Sequence, residues 1–218
     1  MTLFLHNYLF NLLSSIIIVL KEVLKTMGQE LEIEFKNILT QEEYSSLKQY
    51  YFKQNEPFKQ TNHYIDTENH DIISQKMALR IREKNKQYEM TLKVPQKVGL
   101  LEYNEAVDSL PPINEPLDKH FLPKNISEIL NKQQVPLNEL KLLGDLTTYR
   151  LEKSLDTGLL VLDHSEYLGK EDFELEFEVT DYNKGKEAFL ELLAEHQIEN
   201  RKPDNKVKRF FDAQSQST

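Results

Sequence analysis

Acidic residues take every second position in Glu30-Leu31-Glu32-Ile33-Glu34-Phe35-Lys36, with Lys36 completing the row and apolar groups in the gaps. Successive side chains of a strand point to opposite faces, so this stretch predicts one charged face and one apolar face. The pattern returns far downstream in Glu174-Leu175-Glu176-Phe177-Glu178, with Phe173 and Val179 flanking the apolar side. Taken singly, each reads as an amphipathic strand with a solvated outer face. The stretches between them change that reading.

Thr40-Gln41-Glu42-Glu43 has the form of a capping box and predicts a helix to about Tyr51. Residues 58–67 predict a strand, and a short helical turn is expected near 72–76. Over 77–84 the apolar Met77, Leu79 and Ile81 alternate with Arg80, Arg82 and Lys84. Residues 88–94 repeat the design, setting Glu89, Thr91 and Lys93 opposite Tyr88, Met90, Leu92 and Val94. A further strand over 100–108 carries Glu102 and Asn104 on one face. Five of the eight prolines fall between 111 and 136, which predicts an excursion of turns with a helix near 126–134. Strands resume over 140–155, carrying Arg150, and over 159–168, carrying Asp163. A helix with Phe189, Leu190, Leu192 and Leu193 on one side is expected over 183–196.

Charge is sorted by strand: glutamates on the first and last strands, arginine or lysine on the third, fourth and sixth. Like charges in rows are unfavourable on an open face. The arrangement suits an α+β fold with a closed antiparallel barrel of about eight strands built inside out, charge inward and apolar faces covered by helices. Closure also removes exposed edges. A small barrel is normally filled by side chains, so a charged lumen forming a tunnel implies water and a charged ligand. Burying that charge without a counter-ligand costs several kcal/mol per ion.

With 218 residues the chain is long enough to bury a core, and its net charge of −9 argues against nucleic acid as a partner. The absence of cysteine leaves oxygen and imidazole as the only metal ligands, and no glycine-rich phosphate loop is present. His63, His70, His120 and His164 follow no ligand spacing and read as structural or exposed. Residues 3–20 are apolar apart from His6, Asn7, Asn11, Ser14 and Ser15. Lys21-Glu22-Val23 can be encoded by a purine-rich ribosome-binding sequence, so residues 1–26 read as an over-extended reading frame begun naturally at Met27. The alternative is an amphipathic or membrane-anchoring segment, and a membrane contact is expected only if those residues are translated. The functional domain is expected over 27–211, followed by a disordered tail over 212–218.

Glu32-Ile33-Glu34-Phe35-Lys36 matches the ExExK signature of the CYTH-domain proteins, the triphosphate tunnel metalloenzymes. Tyr64-Ile65-Asp66-Thr67, Ala78-Leu79-Arg80-Ile81-Arg82, Thr91-Leu92-Lys93, Glu102, Arg150, Asp163, Glu174-Leu175-Glu176 and Asn205-Lys206 follow in the family's order. Over about 29–211 the chain resembles the short bacterial members of the triphosphatase type. It departs from them at Asn104, where a second acid is common.

The resemblance implies a cytoplasmic, metal-dependent phosphohydrolase acting on the terminal phosphate of inorganic triphosphate or a small organic triphosphate such as thiamine triphosphate. Lys36, Arg80, Arg82, Lys93, Arg150 and Lys206 would bind the substrate, arginine as a fork and lysine as a point charge. Glu32, Glu34, Glu174 and Glu176 would hold Mg²⁺ or Mn²⁺, both hard cations that prefer oxygen. Glu178 stands in the same register, and which two of the three late glutamates are ligands is open in the sequence. Glu34, Glu102 and Asp163 form the expected catalytic set, while Asp66 and Thr67 are expected to shape a turn. An adenylate cyclase of the same fold and a non-catalytic polyphosphate or nucleotide sensor are the alternatives. Either a monomer or a homodimer is compatible with the sequence.

Overall fold

The computed structural model describes residues 28–118 and 120–216, and the expectation for residues 1–26 lies outside them. Eight strands close into an antiparallel barrel: β1 (Gln29–Leu39), β2 (Phe58–Asp66), β3 (Ala78–Lys84), β4 (Gln87–Pro95), β5 (Leu100–Val107), β6 (Lys141–Leu155), β7 (Gly158–Tyr167) and β8 (Lys170–Val179). Around the wall they run β1-β5-β4-β3-β2-β6-β7-β8. Among the described residues no helix is long and apolar enough to cross a membrane.

The apolar core lies outside the barrel wall. On one flank α1 (Gln41–Leu47) and α3 (Tyr182–Glu195) cover the outward residues of β1, β6, β7 and β8, packing Tyr44, Leu47, Phe189 and Leu193 on Leu162, Leu175 and Phe177. On the other flank α2 (Lys124–Lys132), within the proline-rich excursion, packs Ile126 and Leu130 on Leu79, Ile81, Met90 and Leu92. Over most of the wall, period-two alternation therefore points the apolar rows at these helices and the charged rows at the lumen.

The capping box forms as expected: Glu43 N donates to Thr40 Oγ1 at 3.2 Å and Thr40 N to Glu43 Oε2 at 2.8 Å. The helix it opens continues to about Tyr51 as the sequence suggests, its last stretch over Lys48–Phe52 winding wider as a π-helix that closes through Lys53 N to Lys48 O at 3.0 Å. Asp66 is buried after β2, and its carboxylate accepts from Thr67 N at 2.8 Å, Ile72 N at 2.9 Å and Ile73 N at 3.0 Å. Asp66→Ala strands those donors without a partner, so it should cost about 3 kcal/mol. Urea titration should record that loss, with turnover per folded molecule unchanged.

At the chain's end α4 (Lys206–Ser215) lies across one mouth of the barrel. Val207, Phe210 and Phe211 pack on Tyr64, Leu146 and Tyr167, lumen-side residues of three strands. Gly144 admits the plug, since a Cβ there would meet the Phe210 ring at 2.5 Å. The helix runs on to Ser215 with Ala213 buried, so residues 212–215 are helical rather than the start of a disordered tail. The apolar spacing of Val207, Phe210 and Phe211 outweighs the polar composition beyond them.

Candidate active site

Strand register brings the charged rows together. Lys36 stands opposite Glu176 and Glu34 opposite Glu178 across β1 and β8. Arg150 stands opposite Asp163, itself beside Glu174, and Lys93 stands opposite Glu102. Lys206 enters from the first turn of α4. Every site residue expected from the sequence thus faces one lumen.

Two ion clusters organise it. In the first, Lys206 Nζ lies 2.7 Å from Glu174, 2.5 Å from Glu176 and 2.9 Å from Asp163. Arg150 forks onto Asp163 at 2.8 and 2.6 Å and reaches Glu176 at 2.7 Å. Lys36 bridges Glu34 at 2.9 Å and Glu176 at 3.2 Å. Burial alone would raise the Glu176 carboxyl, but Lys206, Lys36 and Arg150 together hold it well below the usual carboxylate range. The second cluster sets Lys93 between Glu32, at 2.6 Å, and Glu102. Against the effect of burial, Lys93 and then Arg80 pull the Glu102 carboxyl down to about 2.

Arg80 and Arg82 are different. No carboxylate pairs with either among the described residues, and each Nε is buried without a hydrogen-bond partner. Arg80 is the main cause that lowers the Arg82 guanidinium to about 10, followed by burial and Arg150. Their neighbours in register share the condition: Asn62 Oδ1 opposite Arg82, Thr91 Oγ1 opposite Arg80 and Asn104 Oδ1 opposite Thr91 are also buried and unpartnered. A continuous patch across β2 to β5 is therefore polar, cationic and unsatisfied. Buried polar groups are rarely left so.

The lumen holds a cavity of about 560 Å³ at the mouth opposite α4, reached by Glu32, Arg82, Glu102, Arg150 and Glu178. Deeper in lies a space of about 70 Å³ against Lys36, Arg80, Lys93, Arg150 and Lys206. Among the described residues no three acids or imidazoles are gathered as around an ion, because lysines sit between them. The donors are nonetheless the all-oxygen set that a hard cation takes. Glu34 and Glu178 stand directly opposite each other across β1 and β8, where a cation would offset their like charge.

Burial, then the charges of Glu32 and Glu176, push the Glu178 carboxyl up to about 7. A raised folded-state value means that the native state holds the proton longer, so stability declines as pH rises from 4.5 through about 7. In metal-free buffer, Glu178→Gln should remove that decline. Melts across pH 4 to 9 should show the variant matching wild type in acid and exceeding it above about 7.

Residues 30–211 match the CYTH domain. The chain belongs to the CYTH family. A Bacillus subtilis relative named "Putative triphosphatase YjbK" is 39% identical over 193 residues, 88% of this chain and 100% of the relative. A solved structure from Bacillus halodurans, described as a "putative adenylate cyclase", is 36% identical with a TM-score of 0.75, covering 85% of this chain and 100% of that one. A Hippeastrum protein, described as a "putative adenylyl cyclase" with a dominant triphosphatase activity, shares the fold at 23% identity and a TM-score of 0.65, covering 84% of this chain and 96% of that one. The family's triphosphate tunnel enzymes are metal-dependent.

Gln60, Asn62 and Thr148 on the deep cavity are lumen groups beyond the sequence expectation; Tyr64, from the Tyr64-Ile65-Asp66-Thr67 stretch, lines the same cavity, and Arg209 reaches Glu174 at 2.6 Å and Asp172 at 3.0 Å. Gln60-Thr61-Asn62-His63-Tyr64 is polar on both parities, so no alternation marks its inner face.

Proposed function

We propose that this protein is a metal-dependent triphosphatase that hydrolyses the terminal phosphoanhydride of inorganic triphosphate or a small organic triphosphate inside the barrel. The observation that carries this reading is the unpaired Arg80–Arg82 patch facing a lumen whose other cations are already balanced by acids. A linear triphosphate brings about four negative charges, which such a patch accepts as charge-assisted hydrogen bonds. Arg82 meets the anion at the wide mouth and Arg80 deeper in. Arg150 lines both cavities and so grips the chain at the join. Lys36, Lys93 and Lys206 turn from carboxylates to phosphoryl oxygens as the substrate seats.

The acids so released, Glu32, Glu34, Glu174 and Glu176, would hold Mg²⁺ or Mn²⁺, with Glu178 adding a fifth carboxylate beside Glu34. The ion would neutralise phosphoryl charge and favour the ionised form of the attacking water. Glu34, Glu102 and Asp163 orient that water and the cations around it. Rigid placement of fixed charge then provides most of the rate enhancement.

Phosphate release from inorganic triphosphate, thiamine triphosphate and ATP, with Mg²⁺, Mn²⁺ or chelator, tests the reading. Rapid metal-dependent release from a small triphosphate is the expected result. Pyrophosphate with a cyclic nucleotide from ATP would mark a cyclase instead, the reading suggested by the name of the Bacillus halodurans relative. Tight binding without any product would mark a sensor.

A further inference from the structure

β1 changes neighbours part-way along. It pairs with β5 only from Gln29 to Glu32, and with β8 only from Ile33 to Leu39. Beyond Glu32, one edge of β1 therefore has no strand beside it. The segment joining α3 to α4 covers part of that edge: Ile38 N donates to Arg201 O at 2.9 Å, and Arg201 N to Asn37 Oδ1 at 2.6 Å. The other side is bounded by the β4–β5 turn, where Gly99, at φ +75°, lies so close that a Cβ would collide with Glu32 O. A lateral slot remains between the two.

The slot opens into a cavity of about 490 Å³ lined by Glu34 and Lys36 from the lumen face of β1 and by Phe35 from its outer face. A cavity touching both faces of one strand must pass around its edge. It shares Glu34, Lys36, Leu100 and Asn205 with the deep lumen cavity, so the two spaces adjoin. Outside the wall the character changes. Phe35 lies 5.3 Å from the ring of Tyr182 and 5.7 Å from that of Phe189, while Tyr182 remains 45% and Leu190 41% exposed. Lys186 and Lys202 flank this shelf.

A ligand that fits is anionic at one end and flat and apolar at the other. We propose that the slot is the head-group subsite for an aromatic triphosphate ester, whose ring rests on Tyr182 while its phosphates occupy the lumen. The proposal rests on the triphosphatase reading and extends it, because inorganic triphosphate fills only the inner half. Lys186 and Lys202 stand where the ester linkage leaves the barrel, adding positive charge beside the phosphate nearest the ring. A pocket of several hundred Å³ is of the size that small organic ligands use.

Calorimetry in chelator, where nothing is cleaved, provides the test, with inorganic triphosphate, thiamine triphosphate and ATP as probes. Tyr182→Ala should weaken one or both esters about 10-fold, the scale of one lost aromatic contact with its buried area. Inorganic triphosphate should stay within about 2-fold, which also certifies the fold, and Tyr182→Phe should restore ester binding. The arm that responds, thiamine or nucleoside, names the ring. Equal weakening of all probes, or esters indifferent to Tyr182, overturns the subsite while leaving metal-dependent cleavage of inorganic triphosphate intact. A wild-type protein that binds no probe and cleaves none overturns both readings.

Discussion

Arg82→Met should bind triphosphate more than about 100-fold more weakly and yet melt at a higher temperature than wild type. Two charge-assisted hydrogen bonds of about 1.5–3 kcal/mol each set the scale of the binding loss. The gain in stability has a separate cause. Without substrate, Arg82 is pressed by Arg80 and Arg150, and its buried Nε has no partner. Methionine keeps most of the side-chain stem and removes the repelled charge. Relief of about 1 kcal/mol corresponds to a rise of about 2–4 °C in a protein of this size. Steady-state kinetics and a thermal melt of the ligand-free protein check both halves. Unchanged KM with a lower Tm would show that Arg82 is a stabilising surface residue and would remove the anion patch from the site. The effect should fall mainly on KM, because the contact exists in the ground state as well as the transition state.

Glu176→Gln should abolish metal-dependent turnover and also destabilise the fold by about 3 kcal/mol, the usual penalty for breaking one side of a buried ion network. Lys36, Arg150 and Lys206 all converge on this carboxylate, which is only 4% exposed. The sign of the pH effect follows from its depressed folded-state value. Its stabilisation is present above the ordinary carboxylate range and is lost as pH falls through the lower folded value. The variant should therefore lose most stability near neutral pH and converge on wild type in strong acid. Glu34→Gln supplies the contrast, because among the described residues Glu34 has a single ion-pair partner, Lys36 at 2.9 Å, and it lines the lumen cavity. It should lose turnover while its Tm stays near wild type. Similar melting losses in both variants would mean that the lumen acids act chiefly as scaffold.

Much of the fold was legible because the chain repeats one device. Period-two alternation marked β1, β3, β4 and β8, and the sorting of charge by strand indicated an inward face. The ExExK row and the Leu79-Arg80-Ile81-Arg82 stretch then located Glu32, Glu34, Lys36, Arg80 and Arg82 among the lumen charges. β2 was expected as a strand, but polar residues on both faces left no period from which to read its inner face. The helical plug was hidden for a different reason: resemblance alone put Lys206 in the site, and it is the packing of Phe210 against Gly144 that brings its ammonium over the acids. The lateral slot could not be foreseen either. It exists because β1 exchanges partners after Glu32, and pairing register leaves no mark in the order of residues.

Away from the mouth that α4 closes, placing the greasy side of the strands outward has a consequence for how such a chain can diverge. Recognition and most of the apolar packing occupy opposite parities of the same strands. A substitution at Glu34 or Arg82 changes what the lumen attracts and leaves the packing under α1, α2 and α3 untouched, so preferences can drift while the scaffold persists. An insertion of a single residue inside β1 would do the reverse, turning Phe35 into the lumen and the acid row against Phe189. Length variation among descendants should therefore collect in the hairpin turns and in the stretch from 111 to 136, and be absent from the wall.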